Sequence, residues 1–191
     1  MELFKTFVRD IYPVTANSLN KLQELVQINE YKKGEHVVKL EQTPNKFYIL
    51  FEGVIRSFFT DIEGKEHTKT IYTPIMTSGN LSALIQKTPS TLIYECLTDC
   101  KIFEGDYYSF LELSQKHHDI TIFHYKILQS IYIREESKIL ELSMLNATDR
   151  YKKLKERFPK IDNLINQYHI ASYLNISPVQ LSRIKKNLLL N

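Results

Sequence analysis

The stretch that most restricts the fold lies near the C-terminus: NQYHIASYLNISPVQLSRIKKNL, Asn166 to Leu188. Asn166 suits the N-cap of a short helix with Ile170, Ala171 and Leu174 on one face. Asn175 follows, and asparagine tolerates the left-handed backbone that a tight turn demands. Ile176 plugs the turn. Ser177 and Pro178 then supply an N-cap and the proline favoured at a first helical position. A second helix would turn Val179, Leu181, Ile184 and Leu188 variously inward and Gln180, Ser182, Arg183, Lys185 and Lys186 outward. Small Ala171 permits a close crossing. This is a helix-turn-helix layout, in which the second helix enters the DNA major groove and its N-terminal half meets base edges. Ordinary surface hairpins share the pattern, so its weight depends on the rest of the chain.

Charge adds to that weight. The formal net charge is +3. From Asn146 onward there are nine basic residues (Arg150, Lys152, Lys153, Lys155, Arg157, Lys160, Arg183, Lys185 and Lys186) against three acids, Asp149, Glu156 and Asp162. The tail is therefore at +6 and the remainder at −3. A basic module on a mildly acidic body is the footprint of a nucleic-acid binder, although solvated lysine-rich helices also occur.

The 191 residues suffice for one large or two small domains with a true core. Two cysteines, Cys96 and Cys100, argue against a disulfide framework and for a reduced setting. They read as one buried and one turn cysteine. MELFKTFVRDIYPV lacks the apolar run of a signal peptide, and no stretch could span a bilayer. The expected location is cytoplasmic, with no membrane partner.

Residues 14–28 read as a helix through Leu19, Leu22, Leu25 or Val26 and Ile28. The texture then becomes β-rich: YKKGEHVVKL, KFYILFEGVIRSFFTDIEGKEHTKTIY and TLIYECLTDCKIFEG. Turn signals fall at Lys33-Gly34, Thr43-Pro44-Asn45, Ile62-Glu63-Gly64 and Thr88-Pro89. Many short strands at near-regular spacing predict an antiparallel roll. Helix resumes after Asp106. A long, uninterrupted helix is predicted over 118–144, with Ile120, Phe123, Ile127 and Ile131 in one stripe and Leu128, Tyr132, Ile139 and Leu142 in a second. That band is wider than one supporting surface needs, so one side can rest on the roll and the other on a second copy. Asn146 to Pro159 reads as the first helix of the tail. The fold class is α+β: a β-roll domain over 1–116, a dimerisation helix over 117–145 with Ile120, Phe123, Ile127 and Ile131 as the interface, and an all-α helix-turn-helix domain over 146–191.

In this order the elements resemble the Crp/Fnr family of bacterial transcription regulators. The residues that carry the likeness are KKGEHVVKLEQTPNKFYILFEGVIRSFF and HIASYLNISPVQLSRIKK. Gly34, Gly53 and Arg56 stand at the roll's Gly-Glu and Gly-x-Val-Arg turns. The resemblance implies a cytoplasmic homodimer that regulates transcription, each tail reading half of a palindromic double-stranded DNA site. It places DNA contacts on Ser177, Gln180, Ser182, Arg183, Lys185 and Lys186. No β-wing of the kind that often follows this motif is expected after Leu188, and Pro178 and Val179 take the early helix positions where charged residues contact bases in relatives.

Relatives that bind cyclic nucleotide use a cassette with a glutamate for the ribose hydroxyl and an arginine for the phosphate. Here the cassette resembles SGNLSALIQKTPSTLIYECL, Ser78 to Leu97. Asn80 takes the glutamate's place, Ser90 the arginine's, and Thr91 the hydroxyl residue's. A degenerate effector pocket is thus expected from Gly79, Asn80, Leu81, Ser82, Ser90 and Thr91. A buried phosphate needs a charge-assisted partner, so neither cAMP nor cGMP is the expected effector. The pocket is then either an empty relic or a site for an unidentified small molecule.

No cofactor or metal is expected. Two thiols four residues apart are not a zinc site, and no cysteine cluster precedes Cys96 for an iron–sulfur centre. His117 and His118 open the long helix and read as solvent-facing. No nucleophile–base motif or phosphate loop is present, so the chain is not read as an enzyme. The alternatives are a ligand-binding or protein-interaction module that has lost DNA binding, and a cupin-like metal enzyme, whose clustered strand histidines are missing.

Overall fold

The computed structural model describes residues 1–190. It opens with α1 (Glu2–Ile11) and α2 (Ala16–Glu24). The first of these was not expected from the sequence. Phe4, Phe7 and Val8, at helical i, i+3, i+4 spacing, bury its inner face. The second is shorter than the residues 14–28 suggest. Thr15 caps it by accepting the Ser18 N–H, and it stops at Glu24. Val26 already belongs to β1 (Val26–Tyr31), which pairs antiparallel with β8 (Cys100–Asp106) from Val26 opposite Gly105 to Tyr31 opposite Cys100. Ladder hydrogen bonds there replace the helical ones, a tertiary outcome that local periodicity does not report.

The intervening strands are β2 (His36–Val38), β3 (Lys46–Glu52), β4 (Ile55–Thr60), β5 (Glu66–Tyr72), β6 (Met76–Ser78) and β7 (Ile93–Cys96). They form two antiparallel four-stranded sheets in the orders β1-β8-β3-β6 and β2-β7-β4-β5. Strand β3 shows why its run FYILF reads as wholly apolar. Tyr48 and Leu50 point into the roll, beside Ile55, Tyr94 and Ile102. Ile49 and Phe51 point to the opposite face, where helices cover them. Gly53 turns the chain from β3 to β4 at φ +95, and a Cβ there would strike the Asp99 carbonyl and Cys100 Sγ. Both cysteines are buried. Cys100 is therefore not a turn residue: it starts β8, and its thiol donates to the Thr98 carbonyl.

Between β6 and β7 lies the short α3 (Leu81–Gln86). After the roll come α4 (Tyr107–Lys116), capped by Asp106 on the Ser109 N–H, and α5 (His118–Met144). At 27 residues, α5 is about 40 Å long. Asp119 ties its start to α2 by accepting from Thr15 N and Ser18 Oγ, both at 2.9 Å.

The tail holds α6 (Ala147–Arg157), α7 (Ile161–Leu164), α8 (Gln167–Tyr173) and α9 (Pro178–Leu190). Tyr151, Leu154, Ile161, Ile165, Ile170, Leu174, Leu181 and Ile184 form its core, which Val54, Ile71 and Leu97 of the roll extend. Two hydrogen bonds fasten α8 to β5: Ser172 Oγ accepts from Thr68 N at 2.9 Å and donates to the Glu66 carbonyl at 3.3 Å. Beneath them Arg56 is buried between Glu66 and Glu95, 2.6 Å from each.

Candidate nucleic-acid interface and effector cavity

Each local signal in the tail has a structural counterpart. Asn166 Oδ1 accepts the Tyr168 N–H at 2.9 Å. Asn175 sits at φ +54, the left-handed region that asparagine enters at small cost. Ile176 N closes the turn on the Ala171 carbonyl at 3.0 Å, and Ser177 Oγ caps α9 by accepting the Gln180 N–H at 3.1 Å. Leu181 and Ile184 press into the tail core. Val179 does not: it is exposed, because two residues advance a helix by about half a turn away from Leu181.

Ser177, Gln180, Ser182, Arg183 and Lys186 are exposed on the outer face of α9. Lys185 is different. Its Nζ lies 2.9 Å from Asp162, which also takes Lys155 Nζ at 2.8 Å and the Tyr151 hydroxyl at 2.8 Å. Burial alone would raise the Asp162 carboxyl, but these three donors outweigh it and hold it below the usual carboxylate range. Lys185 is thereby committed to bracing α9 on α7.

The long helix corrects the expected interface. Ile120 and Phe123 are buried in the chain's own core against α1, α2 and α4. Ile127 packs on that cluster, and Ile131 lines a cavity. None of the four is on the outward face. The exposed apolar residues of α5 are Tyr125, Tyr132, Ile133, Ile139, Leu140, Leu142 and Met144. Of the second stripe, Tyr132, Ile139 and Leu142 face out, while Leu128 faces the cavity.

That cavity, of about 410 Å³, lies between the roll, α3 and α5. Gly79, Asn80, Leu81 and Ser82 line it; Ser90 and Thr91 do not. Asn80 and Ser90 have turned on each other. Asn80 Nδ2 donates to Ser90 Oγ at 2.8 Å, and Asn80 Oδ1 caps α3 by accepting from Ser82 Oγ at 2.8 Å and Ala83 N at 3.3 Å. Ser90 Oγ donates in turn to the Leu92 carbonyl at 2.7 Å. Thr91 is exposed. Two of the expected pocket residues are thus outside it, because small polar side chains satisfy each other where a charged pair would reach for a ligand.

Further polar residues on the lining include Lys69, Tyr72, Thr77, Ser78, His124, Arg134 and Glu135. Burial lowers the His124 pKa, which keeps the imidazole neutral at pH 7. Arg134 could have been suspected from sequence, since it continues the inward stripe of Ile120, Phe123, Ile127 and Ile131 at helical spacing. Among the described residues no cluster of His, Cys, Asp and Glu could hold a metal ion, and no helix is long and apolar enough to cross a membrane.

Residues 28–117 match the family model of the cyclic nucleotide-binding domain. Solved structures of similar shape include FixK2 from Bradyrhizobium japonicum, at a TM-score of 0.76 and 16% identity over 87% of this chain and 85% of that one. A regulator assigned to the Crp/Fnr family from Eubacterium rectale has a TM-score of 0.71 at 12% identity, over 95% and 88%. Residues 28–117 are thus similar to a cyclic nucleotide-binding domain, and the chain as a whole has the fold of these structures. The c-di-GMP responsive global regulator CLP from Xanthomonas campestris is also similar, at 0.70 and 16% identity over 92% of each chain. No curated protein matches. Within the matched residues, the Asn80–Ser90 pair lies in the stretch that the sequence singled out as the cassette.

Proposed function

We propose that the protein is a homodimeric transcription regulator of the Crp/Fnr type, in which α9 of each subunit reads one half of a palindromic DNA site. The observation that carries this is the outer face of α9. Gln180, Ser182, Arg183 and Lys186 are exposed together, while Leu181 and Ile184 fix the helix from behind. Gln180 and Arg183 can read adenine and guanine edges, and Lys186 can neutralise a phosphate. The exposed apolar face of α5, centred on Tyr132, Ile133 and Leu140, supports pairing with a second copy, since a two-fold interface meets itself.

The effector of this reading is not cAMP or cGMP. The cassette has no carboxylate at Asn80 for a ribose and no cation at Ser90 for a phosphate, and their hydrogen bonds are spent on each other, on the start of α3 and on the Leu92 carbonyl. Selection from a random duplex pool, followed by anisotropy titration of the enriched site, tests the DNA reading. A palindromic motif that weakens on Arg183→Ala is expected; no enriched motif refutes it.

A further inference from the structure

We propose that the cavity between the roll and α5 binds an elongated apolar molecule ending in a carboxylate, with Arg134 and Ser78 holding the head group. Its walls are mainly apolar, including Phe47, Leu84, Phe110, Ile127 and Leu128. A sugar or a base would meet few hydrogen-bond partners there, whereas an alkyl or aromatic body would be desolvated favourably. Arg134 and Ser78 both line the cavity, and each has a buried polar atom, Arg134 Nε and Ser78 Oγ, with no hydrogen-bond partner among the described residues. A buried guanidinium N–H without an acceptor is unfavourable, and a carboxylate is the group that satisfies it with two parallel bonds.

The surrounding charges favour a monoanion. Glu135 approaches Arg134 Nε only to 3.9 Å, beyond hydrogen-bond range, and is held by Lys69 at 2.9 Å. Lys69, Arg134 and Glu135 all line the cavity, so the pair cancels and the Arg134 charge remains. His124 adds none, being neutral. The guanidinium lies over the Tyr72 ring at 5.6 Å to its centroid, which orients the fork. A ligand seated there would join the roll to the helix that carries the exposed apolar face. The proposal rests on the effector half of the function proposed above and is independent of DNA binding.

Calorimetric titration of the full chain with decanoate, decanol and cAMP tests it. Decanoate should bind in preference to cAMP and raise the melting temperature. Arg134→Gln should weaken decanoate by about tenfold or more and leave decanol unchanged, with Arg134→Lys recovering part of the loss. Leu128→Trp, which fills the cavity, should remove both decanoate and decanol. Absence of decanoate binding, an Arg134→Gln variant that binds it like the parent, tighter binding of cAMP, or full binding of both probes by Leu128→Trp would overturn the proposal. A random-duplex selection run both with and without decanoate separates the two ideas: its failure under both conditions would sink the DNA reading and leave these titrations unaffected.

Discussion

Lys185 and Lys186 are adjacent in sequence, yet the structure assigns them opposite duties, and replacing each by alanine should separate them. Lys186 is exposed and has no ion pair among the described residues. Lys185 is 23% exposed and bonded to Asp162, itself 14% exposed. Losing Lys185 does not orphan Asp162, which keeps Lys155 and Tyr151. The penalty should stay below the 3–5 kcal/mol of an abandoned buried charge, at about 1–2 kcal/mol for one charged hydrogen bond. Lys186→Ala should leave stability unchanged but remove a phosphate contact from each subunit. Each contact accounts for about 0.9 in the slope of log K against log salt, so a two-fold dimer should lose nearly 2. Urea denaturation reads the first effect, and anisotropy of a labelled duplex across a potassium chloride series reads the second. If Lys185→Ala lowers the salt slope as much as Lys186→Ala does, at unchanged stability, then the Asp162 anchor does not hold Lys185 and the reasoning fails.

Arg183→Ala should weaken the best site by about 1–3 kcal/mol and relax preference at one base pair, read by comparing single-substitution duplexes. Tyr132→Glu with Ile133→Glu should convert a dimer to a monomer by light scattering, whereas Phe123→Glu should unfold the subunit; a parent that is monomeric at micromolar concentration would contradict the α5 pairing. Burial above all, against an opposing Glu141, pulls Lys138 down to about 7. Since the unfolded lysine titrates near 10.4, the unfolded chain binds more protons between these values, and stability should rise with pH across that window. Lys138→Met should flatten the rise in thermal melts from pH 7 to 9; an unchanged slope would place its cause elsewhere. Ser172→Ala leaves the Thr68 N–H without its acceptor, so amide exchange at Thr68 should quicken by roughly tenfold if α8 is held to β5 as described.

Where one residue and its near neighbours decide the outcome, the sequence was readable. Asn166, Asn175, Ser177 and Pro178 specify caps and a turn through backbone chemistry that acts within four residues, and the structure contains those bonds. The long helix over 118–144 was legible because nothing in it breaks an i to i−4 ladder. The strand-rich texture between the helices likewise announced an antiparallel roll. The alternating register of turns and apolar runs needs no distant partner to be visible. What failed required knowing which surface lies opposite. Both apolar stripes of α5 looked alike, and only the docking of α1 and α4 decided that Ile120 and Phe123 turn inward and Tyr132 and Ile139 outward. Helix α2 ended early because β8 was waiting for Val26. Lys185 and Lys186 carry the same charge, and Asp162, some twenty residues away, tells them apart. The cavity was the least legible feature: Asn80 and Ser90 were expected to serve it together, but they bond to each other, and Arg134 reaches the lining from a helix more than forty residues further on. Caps, turns and periodicity are local free-energy preferences and so are written along the chain, whereas which face is buried and which charge is paired depend on contacts between distant segments that exist only once the chain has folded.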